Sequence, residues 1–133
     1  MSVVYHEMSL SVGQSDSVIQ ILYTICDSGG ESCLLHDICN LTGLPKQTIN
    51  SAIRKLEQEH ILYLESTGSR NKRVILTEKG KQLAAKTAGK VIAAENRIFE
   101  EWGSEEAEKF LALNERYLKC LRAELKRLKE ETM

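Results

Sequence analysis

A chain of 133 residues that is 42% hydrophobic and 28% charged holds apolar material for one modest core, with length left over for helices used in assembly. No apolar stretch approaches the roughly 20 residues that span a bilayer, and Met1 to Val12 lacks the basic start and long apolar run of a secretion signal. The expected location is therefore the cytoplasm, with no membrane partner and with Cys26, Cys33, Cys39 and Cys120 reduced. Aromatic residues make up only 5% and Pro45 is the single proline, so aliphatic side chains must do the packing and the fold reads as mainly α.

In chain order, Val18, Ile19, Leu22, Ile25 and Cys26 recur at helical spacing over Asp16 to Cys26, and Asp27-Ser28-Gly29-Gly30 stops that helix. A short helix is predicted from about Leu35 to Leu41, with Ile38 and Cys39 facing inward, and Gly43 supplies a tight turn. Pro45 is placed at the first position of the next helix, where its fixed φ and missing N–H suit the chain. Ile49, Ala52, Ile53 and Leu56 then form one apolar stripe; the opposite face holds Gln47, Asn50, Ser51, Arg54 and Gln58, flanked by Lys46, Thr48 and Lys55. Ile61 to Glu65 and Val74 to Leu76 read as two strands of a small β-hairpin whose tip is Gly68-Ser69-Arg70-Asn71-Lys72. Thr77 is a good N-cap, and one long helix is predicted from there to about Trp102, with Leu83, Ala84, Val91, Ala94 and Ile98 available for burial. Gly103-Ser104 breaks it. Ser104 is read as the cap of a last helix that opens on Glu105 and Glu106 and carries Phe110, Leu113, Tyr117, Leu121, Leu125 and Leu128.

The net charge of −1 hides an uneven distribution. From Lys46 to Lys81 there are eight basic and four acidic residues, a local charge of +4; the remainder has ten basic and fifteen acidic, a charge of −5. One basic segment in an otherwise acidic chain is the footprint of a protein that touches phosphates in one place.

The stretch Asp37-Ile38-Cys39-Asn40-Leu41-Thr42-Gly43-Leu44-Pro45-Lys46-Gln47-Thr48-Ile49-Asn50-Ser51-Ala52-Ile53-Arg54-Lys55-Leu56-Glu57 resembles the helix-turn-helix of the multiple antibiotic resistance regulator (MarR) family. The hairpin after it, closing on Leu76-Thr77-Glu78-Lys79-Gly80, looks like that family's wing and the start of its next long helix. The resemblance covers the chain from about Ser9 to about Leu125. It implies a winged helix-turn-helix fold with long terminal helices for dimerisation: 1–15 as the end of a first helix, 16–80 as the DNA-binding lobe (recognition helix about 45–58, wing about 61–76), and 81–133 as dimerisation helices.

The function so implied is that of a homodimeric, sequence-specific regulator of transcription, a repressor on an inverted-repeat site in duplex DNA that responds to a small-molecule effector. Gln47, Asn50 and Ser51, with Thr48 beside them, suit base edges. Lys46, Arg54, Lys55, Lys72 and Arg73 suit phosphates. Arg70 matches the family's wing-tip arginine, which reads minor-groove shape, and Asn71 adjoins it. Leu113, Tyr117, Leu121, Leu125 and Leu128 form either a coiled-coil seam or the face of an ordinary packed helix; with little else in so short a chain to bury them, a dimer seam is expected. Tyr23, Phe99, Trp102 and Tyr117 are candidate walls of an effector pocket. The chain departs from the family pattern in two places. Gly68 stands where many members carry an acidic residue that braces the wing-tip arginine. Only Met1 to Met8 remain for the end of the first helix, so either the dimer leans more on the last two helices or the chain is a trimmed version.

Other readings compete with this one. A winged-helix module used only for protein–protein contact has no need of Arg54, Arg70, Lys72 and Arg73 together. A redox-sensing regulator needs an accessible, acidic thiol; Cys120, between Lys119 and Arg122, is the better placed cysteine. Cys33, His36 and Cys39 fall at steps of three, but no second cluster completes a four-ligand metal site, so no metal or cofactor is expected. No Gly-rich phosphate loop, nucleophile motif or carboxylate pair suggests an enzyme.

Overall fold

The computed structural model describes residues 3–68 and 71–132. The chain divides into two units, Met1–Ala93 and Ala94–Met133. The first holds α1 (Val3–Ser11), α2 (Asp16–Asp27), β1 (Ser32–Leu34), α3 (Leu35–Thr42), α4 (Lys46–Gln58), β2 (Leu62–Ser66), β3 (Lys72–Leu76) and α5 (Glu78–Lys86). Helix α6 (Ala88–Trp102) crosses from the first unit into the second, and α7 (Ser104–Glu131) lies wholly in the second.

The core of the first unit follows from the apolar periodicity. Val18, Ile21, Leu22 and Ile25 of α2 pack with Ile38 of α3 and with Ile49, Ala52, Ile53 and Leu56 of α4. Leu62, Val74 and Leu76 close the cluster from the sheet, and Ala84 and Ala88 from the helices that follow. The whole predicted stripe of α4 is buried, which fixes the rotation of that helix and turns its polar face outward. Helix α2 opens on Ser15, whose hydroxyl accepts the Val18 N–H.

The sheet has three antiparallel strands in the order β1-β3-β2. The hairpin register pairs Leu62 with Leu76 and Ser66 with Lys72, while β1 pairs Leu34 with Arg73 and Ser32 with Ile75. The sequence reading has only the hairpin; β1 is three residues long, too short for alternation to declare itself. It also places Cys33 on a strand, with its side chain buried and its thiol 3.6 Å from the Ser28 hydroxyl.

Three helix boundaries differ from expectation. Pro45 is the N-cap of α4, not its first residue, with extended ψ of 142°. The long helix predicted from Thr77 to Trp102 is two helices: Thr87 leaves helical geometry (φ −123°, ψ −92°), and its buried hydroxyl donates to the Leu83 carbonyl at 2.7 Å. A β-branched residue whose hydroxyl bonds back to a carbonyl of the preceding turn favours such a bend. Gly103, not Ser104, is the N-cap of α7, because the turn requires its φ of +87°.

Helix α4 ends in a left-handed cap. His60 takes φ +59° and donates its N–H to Glu57, while the Ile61 N–H donates to Leu56. These are the paired bonds that satisfy the last carbonyls of a helix, usually with glycine at the left-handed position. The first turn of α5 then grips this cap. Thr77 caps α5 through the Gly80 N–H (3.0 Å) and donates its hydroxyl to the His60 carbonyl (2.6 Å), and the Thr77 N–H donates to Ile61. Lys79 Nζ reaches the Glu59 carbonyl at 3.0 Å.

Candidate nucleic-acid interface

Burial of Ile49, Ala52, Ile53 and Leu56 leaves Lys46, Gln47, Thr48, Asn50, Ser51, Arg54 and Lys55 all exposed on α4. They lie in two neighbouring rows, Lys46–Asn50–Arg54 and Gln47–Ser51–Lys55, because residues four apart stack along a helix. The ion pairs among the described residues use His6 with Asp16, Lys81 with Glu31 and Glu78, and Arg127 with Glu124. Among the described residues, no carboxylate pairs with Lys46, Arg54, Lys55 or Lys72. Those four cations stay open to an external anion. Lys79 and Lys81 of the basic segment are instead engaged, Lys79 on the Glu59 carbonyl and Lys81 on Glu31 and Glu78, and the hydrogen bonds that Lys81 donates to Glu31 and Glu78 raise its pKa.

The hairpin residues are placed less uniformly. Lys72 is exposed at the start of β3, and Asn71 is exposed before it, with its carbonyl accepting the Thr67 hydroxyl at 2.7 Å. Arg73 is half-buried on the central strand, opposite Glu65, and its guanidinium donates to the Ser32 hydroxyl at 3.0 Å. That engagement depends on β1, which the sequence does not announce. Arg70 lies outside the described residues.

Sequence reasoning also passes over two side chains of α2. The row Gln47–Ser51–Lys55 faces Ser15 and Ser17 across an open cleft of about 510 Å³. Both serines look like helix-start residues and nothing more; only the packing of α2 on α4 brings them to this face.

In the second unit, α7 runs for 28 residues without a buried side chain. Leu113, Tyr117, Leu121, Leu125 and Leu128 are all exposed, Tyr117 by 66%. Ile98, expected to be buried, is exposed as well. Of the proposed pocket residues, Phe99 and Trp102 come together edge-to-face at 5.8 Å, and Phe110 completes the cluster at 5.8 Å and 5.5 Å from them. Tyr23 belongs to the first unit, half-buried against its core.

The cysteines are free. Burial and the neighbouring Asp27 push the Cys26 thiol up, away from the reactive thiolate. Cys120 is exposed on α7. Cys33 and Cys39 sit on different elements, and among the described residues no three histidine, cysteine or acidic side chains group as metal ligands. No helix is long and apolar enough to cross a membrane among the described residues.

The comparisons with known proteins agree with this geometry. Residues 13–70 match the sequence model of the MarR family. No curated protein matches the sequence. Among solved structures, a MarR family regulator from Neisseria meningitidis aligns with a TM-score of 0.80 at 19% identity, covering 93% of this chain and 87% of its own. NadR, solved in complex with 4-hydroxyphenylacetate, aligns with a TM-score of 0.68 at 18% identity, covering 88% of this chain and 81% of its own. MepR of S. aureus, solved as a DNA complex, aligns with a TM-score of 0.64 at 19% identity, covering 89% of this chain and 92% of its own. The chain therefore has the winged helix-turn-helix fold of these structures, and its residues 13–70 are similar to the MarR family.

Proposed function

We propose that the protein is a homodimeric regulator, a repressor that binds an inverted repeat in duplex DNA and releases it when a small molecule binds. The observation that carries the reading is the outward face of α4, where seven polar or basic residues stand exposed and three of the cations have no acidic partner among the described residues. In this reading α4 enters the major groove, Asn50 meets base edges, and Lys46, Arg54, Lys55 and Lys72 meet phosphates. Arg70 and Asn71 are assigned to the wing contact on the family resemblance alone. The protein acts as a transcription factor rather than an enzyme, and works in the cytoplasm.

The second copy covers α7. A stripe of five large apolar side chains on a helix with no buried residue is what a two-fold interface leaves behind when one chain is taken alone. Effector response is proposed because NadR was solved with an aromatic acid bound, and Phe99 and Trp102 are the aromatic side chains we assign to contact such a ligand. The effector can act only through different affinities for two shapes of the dimer.

The test is a titration of the protein, by fluorescence anisotropy at two salt concentrations, against duplexes tiled across the DNA flanking its own gene. One tile should contain an inverted repeat, bind far more tightly than the rest, and weaken with salt by a log–log slope of about −0.9 for each phosphate contacted. Arg54→Ala should reduce that slope by about 1. Uniformly weak binding that ignores Arg54→Ala would leave the protein-contact module as the better reading.

A further inference from the structure

The cleft between α2 and α4 has a chemistry of its own. Ser15 and Ser17 line one wall, and Gln47, Thr48, Ser51 and Lys55 line the other; buried Val18 and Ala52 form its base. Every polar group on these walls is a hydroxyl, an amide or an ammonium, and no carboxylate is among them. The one acid beside it in sequence, Asp16, turns an oxygen to His6 Nδ1 at 2.7 Å. Ser15 and Ser17 hold each other at 3.3 Å between hydroxyl oxygens, so the pair is presented as a unit. Hydroxyl donors facing a single flexible cation around an open, solvent-filled space suit a tetrahedral oxyanion.

Position then selects which anion. Gln47, Ser51 and Lys55 line the cleft shared with α2, whereas Lys46, Asn50 and Arg54, exposed on the neighbouring row, do not. A major groove about 12 Å wide, filled by α4, places a sugar–phosphate strand along the cleft edge. We propose that this cleft clamps one backbone phosphate of the duplex, with Ser17 of α2 and Lys55 of α4 as opposing contacts. The proposal rests on the DNA-binding reading above and adds α2 to the interface. It assigns Lys55 and Ser51 to positioning the helix and leaves sequence readout to Asn50.

The test uses the full-length protein and a mixed-sequence duplex at low salt. Ser17→Glu places a carboxylate at the start of α2, where negative charge favours the helix. It should keep or raise the melting temperature yet lower duplex affinity by roughly tenfold or more. Ser17→Ala should lower affinity by roughly two- to tenfold, alike for every duplex sequence. Lys55→Ala should lower it too, with a salt slope smaller by about 1. The Ser17→Ala, Lys55→Ala double variant should lose less than the product of the single losses, since both serve one phosphate. Wild-type affinity in Ser17→Glu and Ser17→Ala, while Arg54→Ala still binds weakly, overturns the clamp and leaves the DNA reading standing. Failure of the wild type to bind any duplex overturns both. Binding of inorganic phosphate that depends on Ser17, with duplex binding that does not, reassigns the cleft to a free anion and overturns it as well.

Discussion

Gly80→Ala is a sharp test of how α4 is held. Gly80 is buried in the first turn of α5, and its backbone needs no special angle. Helix propensity alone favours alanine there by about 1 kcal/mol. A methyl group at this position, however, would stand 1.9 Å from the Ile61 carbonyl oxygen, 2.9 Å from its carbon and 3.3 Å from Leu76 Cδ2. The carbonyl belongs to main chain and cannot swing aside, so α5 and the α4–β2 turn must part by more than an ångström. Three hydrogen bonds lie in the way: Thr77 N–H to Ile61 (3.0 Å), Thr77 hydroxyl to Ile61 (3.1 Å), and the Gly80 N–H to that hydroxyl (3.0 Å). Weakening these, at about 0.5–1.5 kcal/mol each, together with an overpacking cost of about 1–3 kcal/mol, outweighs the propensity gain. The expected net loss is about 2–6 kcal/mol. Urea unfolding followed by far-ultraviolet circular dichroism measures it, at one fixed protein concentration because assembly contributes to stability. Gln82→Ala, on the exposed side of α5, is the matched control. A Gly80→Ala protein as stable as wild type would refute the close approach of α5 to the end of α4.

Three further outcomes are expected. His60→Gly relieves a left-handed residue in the α4 cap and should stabilise the fold by about 0.5–1 kcal/mol in the same unfolding assay, where a loss would mean that the imidazole makes an interaction of greater worth. The His6 hydrogen bond, the largest influence on Asp16, holds that carboxyl below its ordinary value of 3.8. A depressed folded pKa gives stability that is present above that ordinary value and vanishes as pH falls through the folded one, so melting temperatures of wild type and Asp16→Asn should differ at neutral pH and converge in acid below 3.8; a gap that stays constant into acid would remove the ion pair from the account. Leu121→Glu with Leu125→Glu puts two charges into the exposed stripe of α7, and sedimentation should show a dimer becoming a monomer at micromolar concentration, whereas an unchanged dimer would locate the interface elsewhere.

The helices were legible wherever one face is buried and the other is not. Ile49, Ala52, Ile53 and Leu56 announce the rotation of α4, and from that rotation the exposed set Lys46 to Lys55 follows directly. Legibility fails where a position is decided by a distant partner. Strand β1 exists because β3 offers it an edge, and Arg73 is drawn into the sheet by Ser32, 41 residues earlier. Ser15 and Ser17 join the polar face only through the packing of α2 on α4. The end of α4 carries histidine where a glycine signals such a cap, so its left-handed geometry leaves no mark in the sequence. The break at Thr87 hides in the same way, because threonine is tolerated inside helices and its bend comes from the bond to Leu83.

The contacts at that cap also bear on how the exposed face of α4, the proposed DNA contact, can move. Helix α4 is fixed at its C-terminal end by α5 through Thr77 on His60 and Ile61 and Lys79 on Glu59, and along its length by Ile49, Ile53 and Leu56 in the core. A packed core and a hydrogen-bonded turn resist small continuous deformation. Helix α4 and the first turn of α5 therefore behave as one body. The weak point next along the chain is Thr87, where the helical ladder between α5 and α6 is interrupted. A rearrangement that reorients α4 without unfolding it is best absorbed there, with the α4–α5 contact carried along intact. A shift confined to α4 would have to break the Thr77 and Lys79 bonds and open the core at the same time. For that reason, substitutions at Thr87 should alter the response of DNA binding to an effector, whereas substitutions at Gly80 should lower stability first.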